Sequence, residues 1–148
     1  MKKILSISLV LALVLLCFSS CAGYYVGEEI YTSYDGVYIT VDGIDNTADS
    51  PVLKVIWHNE GESYVSFGLW YAIEYLDGEE WKNVQITDFA IPEIACTLEG
   101  GEEVMQGYSL KYFNTLLPGT YRIKTEFYIP DLELGTQMAY ATFEVSYM

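Results

Sequence analysis

Few side chains in this 148-residue chain are of a type that does chemistry, and their spacing decides what each could do. The one histidine, His58, has only Glu60 and Glu62 near it in sequence. That is short of a zinc set, so His58 reads as a polar residue ending a strand. One histidine among many aspartates assembles no Ser-His-Asp triad beyond chance. Carboxylate pairs stand at Glu28/Glu29, Glu79/Glu80 and Glu102/Glu103. Neighbours on a strand point to opposite sides, whereas a glycosidase needs two carboxyls facing one cleft about 5 to 10 Å apart. The pairs therefore read as solvated turn edges. Asp42, Asp45, Asn46 and Asp49, in "DGIDNTAD", offer hard oxygen ligands of the kind calcium takes. Their spacing is not that of an EF-hand loop, and Asp and Asn are also what a turn prefers, because they bond their own backbone. No metal, cofactor or catalytic residue is assigned, and no enzyme is expected. Cys96, in "IACTLEGG", has Glu93 and Glu99 as its nearest charges, the reverse of what a reactive thiolate needs, and reads as a core thiol. The residue left with a chemical role is Cys21.

Cys21 closes the stretch "FSSCAG" at the end of a long apolar run. Lys2 and Lys3 are followed by Ile4 to Phe18, "ILSISLVLALVLLCF". At 15 residues the run is short for a membrane span, which needs about 20, and right for a signal-peptide core. An ordinary cleavage site wants small residues at the last and third-last positions, and Phe18 spoils the second of these. A cut immediately before Cys21 removes that difficulty. "FSSC" resembles the lipobox of bacterial lipoproteins, a bulky apolar residue and two small ones before a cysteine. The resemblance implies that Cys21 carries diacylglycerol in thioether linkage and becomes the mature N-terminus. Two or more acyl chains anchor stably, at about 0.8 kcal/mol per buried CH2. A plainly secreted chain and an uncleaved anchor are the alternatives. Once Cys17 leaves with the signal, a Cys21–Cys96 bridge is the one disulfide open, and nothing in the sequence supports it. The expected organisation is a signal peptide over 1–20, a lipidated tether over 21–34 and one domain over 35–148.

Cleavage before Cys21 removes Lys2 and Lys3 but no carboxylate, leaving five basic residues against 21 acidic ones, a formal −16. Such a surface repels phosphate backbones, and no basic stripe overrides it, so nucleic acid is excluded as a partner. High apolar and aromatic content, 51% and 16%, argues against a disordered tail.

The elements that must position these residues have a period of two. In "GVYITVDG", Val37, Ile39 and Val41 alternate with Tyr38, Thr40 and Asp42; in "PVLKVIWHNEG", Leu53, Val55 and Trp57 alternate with Lys54, Ile56 and His58. In "LWYAIEYLDG", Leu69, Tyr71, Ile73 and Tyr75 alternate with Trp70, Ala72, Glu74 and Leu76. "TYRIKTEFY" sets Tyr121, Ile123, Thr125 and Phe127 on one face, and "MAYATFEVSY" sets Ala141, Phe143, Val145 and Tyr147. No helical apolar stripe appears. "NEGES", "LDGEEW" and "LEGGEE" supply turns, and "SLKYFNTLLPG" is the one place for a short helical turn. The expectation is an all-β chain, an antiparallel sandwich of seven or eight strands, with a small barrel as the lesser option.

"LLPGTYRI" has the arrangement of a tyrosine corner, in which Tyr121 returns its hydroxyl to upstream backbone. "VIWHNEGE", "FGLWYAIEYLDGEEWKNV", "CTLEGGEEVMQGYSL", "LLPGTYRIKTEF" and "ATFEV" together resemble the bacterial Ig-like domains of cell-envelope lipoproteins, over roughly residues 34 to 147. The resemblance implies a non-catalytic, extracytoplasmic Ig-like β-sandwich. It is nearly silent about ligand.

In that topology the strands of "LWYAIEYLDG", "TYRIKTEFY" and "MAYATFEV" lie side by side, which brings Trp70, Tyr128, Met138 and Tyr140 to one end of an outward face. Exposed aromatics of this kind are what a sugar ring or a protein partner stacks on. A single bulge would move them to the other face. The function expected is a lipid-anchored, non-enzymatic extracytoplasmic binding or interaction module, its partners the membrane and an envelope protein or glycan. The alternative is a carbohydrate-binding module that recognises wall or environmental glycan through Trp70, Tyr128 and Tyr140.

Overall fold

The computed structural model describes residues 30–47, 49–87 and 90–146. The expected signal peptide, Cys21 and residues 21–29 of the expected tether lie outside them. Among the described residues, nine strands form two antiparallel sheets: β1 (Ile30–Thr32), β2 (Val37–Asp45), β3 (Val52–Asn59), β4 (Val65–Asp77), β5 (Glu80–Asn83), β6 (Ala95–Leu98), β7 (Glu103–Ser109), β8 (Gly119–Tyr128) and β9 (Gln137–Val145). The larger sheet runs β1-β9-β8-β4-β5, with β6 pairing the other half of β4, and the smaller runs β2-β3-β7. Two separate sheets make a sandwich and exclude the barrel. The count exceeds the expected seven or eight because short edge strands form, among them three-residue β1 within the stretch read as tether. Among the described residues, no helix is long and apolar enough to cross a membrane.

The period-two alternation is what the core uses. Val37, Ile39 and Val41 of β2, Leu53, Val55 and Trp57 of β3, and Tyr121, Ile123 and Phe127 of β8 are all buried. Trp57 stacks on Phe67 at 4.4 Å and meets the edge of Phe127 at 6.0 Å, joining β3 of one sheet to β4 and β8 of the other. Its indole N–H donates to the Tyr108 hydroxyl at 3.1 Å, so the largest core side chain leaves no orphan donor. The short helical turn falls at Leu110–Tyr112 as a 3-10 turn. The tyrosine corner forms as expected: the Tyr121 hydroxyl donates to the Leu117 carbonyl at 2.7 Å. Cys96 is half-buried against the core and unpaired, less enclosed than its sequence surroundings suggest.

Two turns are tied together by Asn59, which is 2% exposed. Its amide nitrogen donates to the carbonyls of Ser63, Leu98 and Glu99 at 2.9, 3.1 and 3.1 Å, and its oxygen accepts from the Gly61 N–H at 3.1 Å. The turns approach so closely that a Cβ at Gly100 would lie 2.6 Å from the Gly61 carbonyl oxygen.

Candidate binding face

The outer face of the larger sheet is built from the residues that alternate with its core set. β4, β8 and β9 are adjacent, as the expected topology requires, with Ile73 opposite Ile123 and Ile123 opposite Ala141. β4 is irregular, however: its register against β8 shifts between Phe67 and Tyr71. Trp70 sits in that bulge. Its carbonyl, released from the ladder, accepts from the Thr125 hydroxyl at 2.7 Å. Thr125 is fully buried, so an apparently misplaced polar residue in the core phase of β8 satisfies the backbone where the bulge opens it.

The bulge creates an open hollow of about 580 Å³, lined by Trp70, Tyr128, Glu126, Pro92 and Ile94 among others. Tyr128 is 47% exposed, whereas Trp70 is half-buried. Of the four residues expected to form one patch, Trp70 and Tyr128 line the hollow, whereas Met138 and Tyr140 do not. Met138 lies opposite Glu126, and Tyr140 opposite Lys124. Lys124 and Tyr128 are four residues apart along β8, about 13 Å at strand rise, so Tyr140 belongs to a different group.

That second group runs across the sheet. The Arg122 guanidinium lies between two rings, 4.3 Å from the Trp81 centroid and 4.6 Å from that of Tyr140. Lys124 approaches the Tyr140 ring at 5.9 Å, and Tyr31 of β1 leans on it at 5.4 Å. The Arg122 Nε donates to Glu74 Oε2 at 2.5 Å, and Glu74 is 7% exposed despite its charge. An enclosed carboxylate needs such a partner, and the planar guanidinium supplies one edge to it while its faces stack. Trp81 reaches the row because the β4–β5 hairpin turns in two residues, with Gly78 at φ +67° in the first position. Sequence reading missed Trp81 and Arg122. The signal for Trp81 is the tight "LDGEEW" turn, which puts it opposite Leu76 on the outward phase, whereas Arg122 is placed by the β4–β8 register alone.

His58 lies on the outer face of the smaller sheet, stacked on Tyr38 at 4.6 Å and 13°. Its ring nitrogens meet Glu103 Oε1 at 2.7 Å and Thr40 Oγ1 at 2.8 Å. The carboxylate beside it thus comes from β7 rather than from Glu60 or Glu62; Glu60 instead accepts from the Tyr38 hydroxyl at 2.8 Å. In the acidic loop, Asp45 is held well below the usual carboxylate range by hydrogen bonds from Thr47 and then by Lys54. Among the described residues no three histidine, cysteine or acidic groups are placed to hold a metal ion.

The fold and these motifs agree with the sequence comparison: the family described as bacterial Ig-like domain matches residues 33–144, and the chain belongs to it. No curated protein matches the chain. The class of protein that this family suggests is an extracellular interaction module, of a kind that is typically not enzymatic.

Proposed function

We propose that this protein is a non-enzymatic binding module displayed outside the cytoplasmic membrane on a lipid attached to Cys21. The binding surface in this reading is the outer face of the larger sheet. The observation that carries it is the hollow at the β4 bulge, where half-buried Trp70 and exposed Tyr128 stand beside an outward carboxylate, Glu126. An open hollow walled by aromatic rings, with Glu93 and Glu126 as its charged groups, suits binding.

Carbohydrate is the more specific reading, supported by the same two aromatics, since flat rings beside an acceptor suit a sugar's apolar face and its hydroxyls. Tyr140 takes no part in that contact, being engaged with Arg122. Two experiments test the proposal. Mass spectrometry of the N-terminal peptide should find Cys21 at the N-terminus carrying diacylglycerol, and an unmodified Cys21 would contradict the anchor. Full-length protein should be retained on insoluble wall material and lose retention in both Trp70→Ala and Tyr128→Ala. A wall-binding protein indifferent to both changes would refute the hollow as the site.

A further inference from the structure

We infer that the end of the sandwich bearing Leu117 rests on a phospholipid bilayer, which stands the domain upright with the Trp70–Tyr128 hollow facing away. This rests on the reading of Cys21 as the lipid anchor. The first observation is the direction of β1. Ile30 pairs with Ala141 and Thr32 with Ala139, antiparallel to β9, so at Ile30 the backbone enters from the Val145 side. That is the end at which β9 finishes and β8 begins, with Gly119 opposite Val145.

The second observation is what that end carries. Leu117, at the tip of the loop before β8, is 68% exposed. Apolar hollows flank it on both sides, one of about 510 Å³ with Ile44, Leu110 and Phe113 in its wall, the other of about 400 Å³ with Leu76 and Val84. Leu117 and Leu76 are exposed apolar side chains here, and on a protein held at a membrane the bilayer interface is their nearest apolar phase.

The third observation is charge. The loops at the opposite end, 33–36, 60–64, 99–102 and 129–136, contain seven carboxylates and neither lysine nor arginine. The Leu117 end holds Lys54, Lys82 and Lys111, the last with its ammonium 4.6 Å over the Tyr112 ring, against the carboxylates Asp45, Asp49, Asp77, Glu79 and Glu80. Both ends are net acidic, and anionic headgroups repel the first, whose carboxylates have no lysine or arginine among them, more than the second. Length alone does not choose, because nine residues from Cys21 to position 29 span up to about 30 Å, enough for either end. Strand direction, the apolar tip and the acidic crown all favour Leu117.

The test uses full-length lipidated protein in vesicles of phosphatidylglycerol and phosphatidylethanolamine in equal amounts. In a Cys96→Ala background, a bimane label is placed through Leu117→Cys or through Leu134→Cys, which is 53% exposed at the opposite end. Circular dichroism and melting check both variants, with Cys96→Ser replacing Cys96→Ala where the latter melts early. Nitroxide-labelled lipid should quench the label at 117 several-fold more than the label at 134. Equal quenching, no quenching at either site, or stronger quenching at 134 would overturn the proposal. Mass spectrometry of the N-terminal peptide separates the two failures: an unmodified Cys21 removes the anchor and the proposal with it, whereas lipidated Cys21 with an unquenched 117 removes the orientation alone.

Discussion

Replacing Asn59 with alanine should cost about 3 to 4 kcal/mol, and the figure follows from its bonds. The backbone bonds at this position, Asn59 N–H to the Glu102 carbonyl and Gly101 N–H to the Asn59 carbonyl, survive the change. Lost are the side-chain bonds to the carbonyls of Ser63, Leu98 and Glu99, and the acceptor for the Gly61 N–H. Two amide hydrogens shared among three carbonyls, with the oxygen's one bond, amount to roughly three bonds at about 1 kcal/mol net each. The Leu98 carbonyl is enclosed and adds an unsatisfied acceptor, about 1 kcal/mol more at the low end of such costs. Asn59→Asp should be worse at neutral pH, since an ionised carboxylate would face three carbonyl oxygens with no hydrogen to offer. That environment raises the acid's pKa in the folded state, so the deficit should shrink as pH falls toward about 4. Urea unfolding followed by tryptophan fluorescence measures both variants. A loss below about 1 kcal/mol for Asn59→Ala would refute the role given to this side chain.

Tyr121→Phe removes the corner bond to Leu117 while keeping the ring in the core, and should lower stability by about 1 kcal/mol in urea unfolding. Arg122→Ala strands the enclosed Glu74 carboxylate and unstacks Trp81 and Tyr140, at a cost of about 2 to 3 kcal/mol. Glu74→Gln in the same chain should recover part of it, which a double-mutant cycle reads directly. Thr125→Val leaves the Trp70 carbonyl without its donor, so the bulge should loosen and indole quenching by acrylamide should rise with little change in core packing. Burial pushes the Tyr71, Tyr108 and Tyr121 hydroxyls above the ordinary phenol value of 10. The unfolded chain therefore loses these protons first, so stability should be level below about pH 10 and fall above it. Tyrosinate absorbance measured beside urea midpoints from pH 8 upward tests this; a midpoint that holds steady through pH 11 would contradict it.

The sheet residues were legible because a half-buried strand must alternate, and Val37–Val41, Leu53–Trp57 and Tyr121–Phe127 do so without interruption. The corner at Tyr121 was legible because "LLPGTY" is local, its hydroxyl reaching only four residues back. What alternation does not report is a register shift. The β4 bulge between Phe67 and Tyr71 leaves the inward and outward sets intact on each side of it, and Trp70 sits within it at the wall of the hollow. The Glu74–Arg122 pair was equally hidden, since 48 residues separate its members and only the β4–β8 register brings them level. Asn59 was equally hidden, since its three carbonyl partners come from a turn nearly 40 residues away as well as its own.

The most direct test of the binding reading is a tryptophan-fluorescence titration of protein beginning at residue 22 with soluble wall glycan, beside its Trp70→Ala and Trp81→Ala variants. The expected result is a saturable change that Trp70→Ala abolishes and Trp81→Ala retains, because Trp70 lines the hollow while Trp81 lies under Arg122. A saturable change that survives Trp70→Ala would contradict the account, and one lost only in Trp81→Ala would move the site to the Arg122–Tyr140 row.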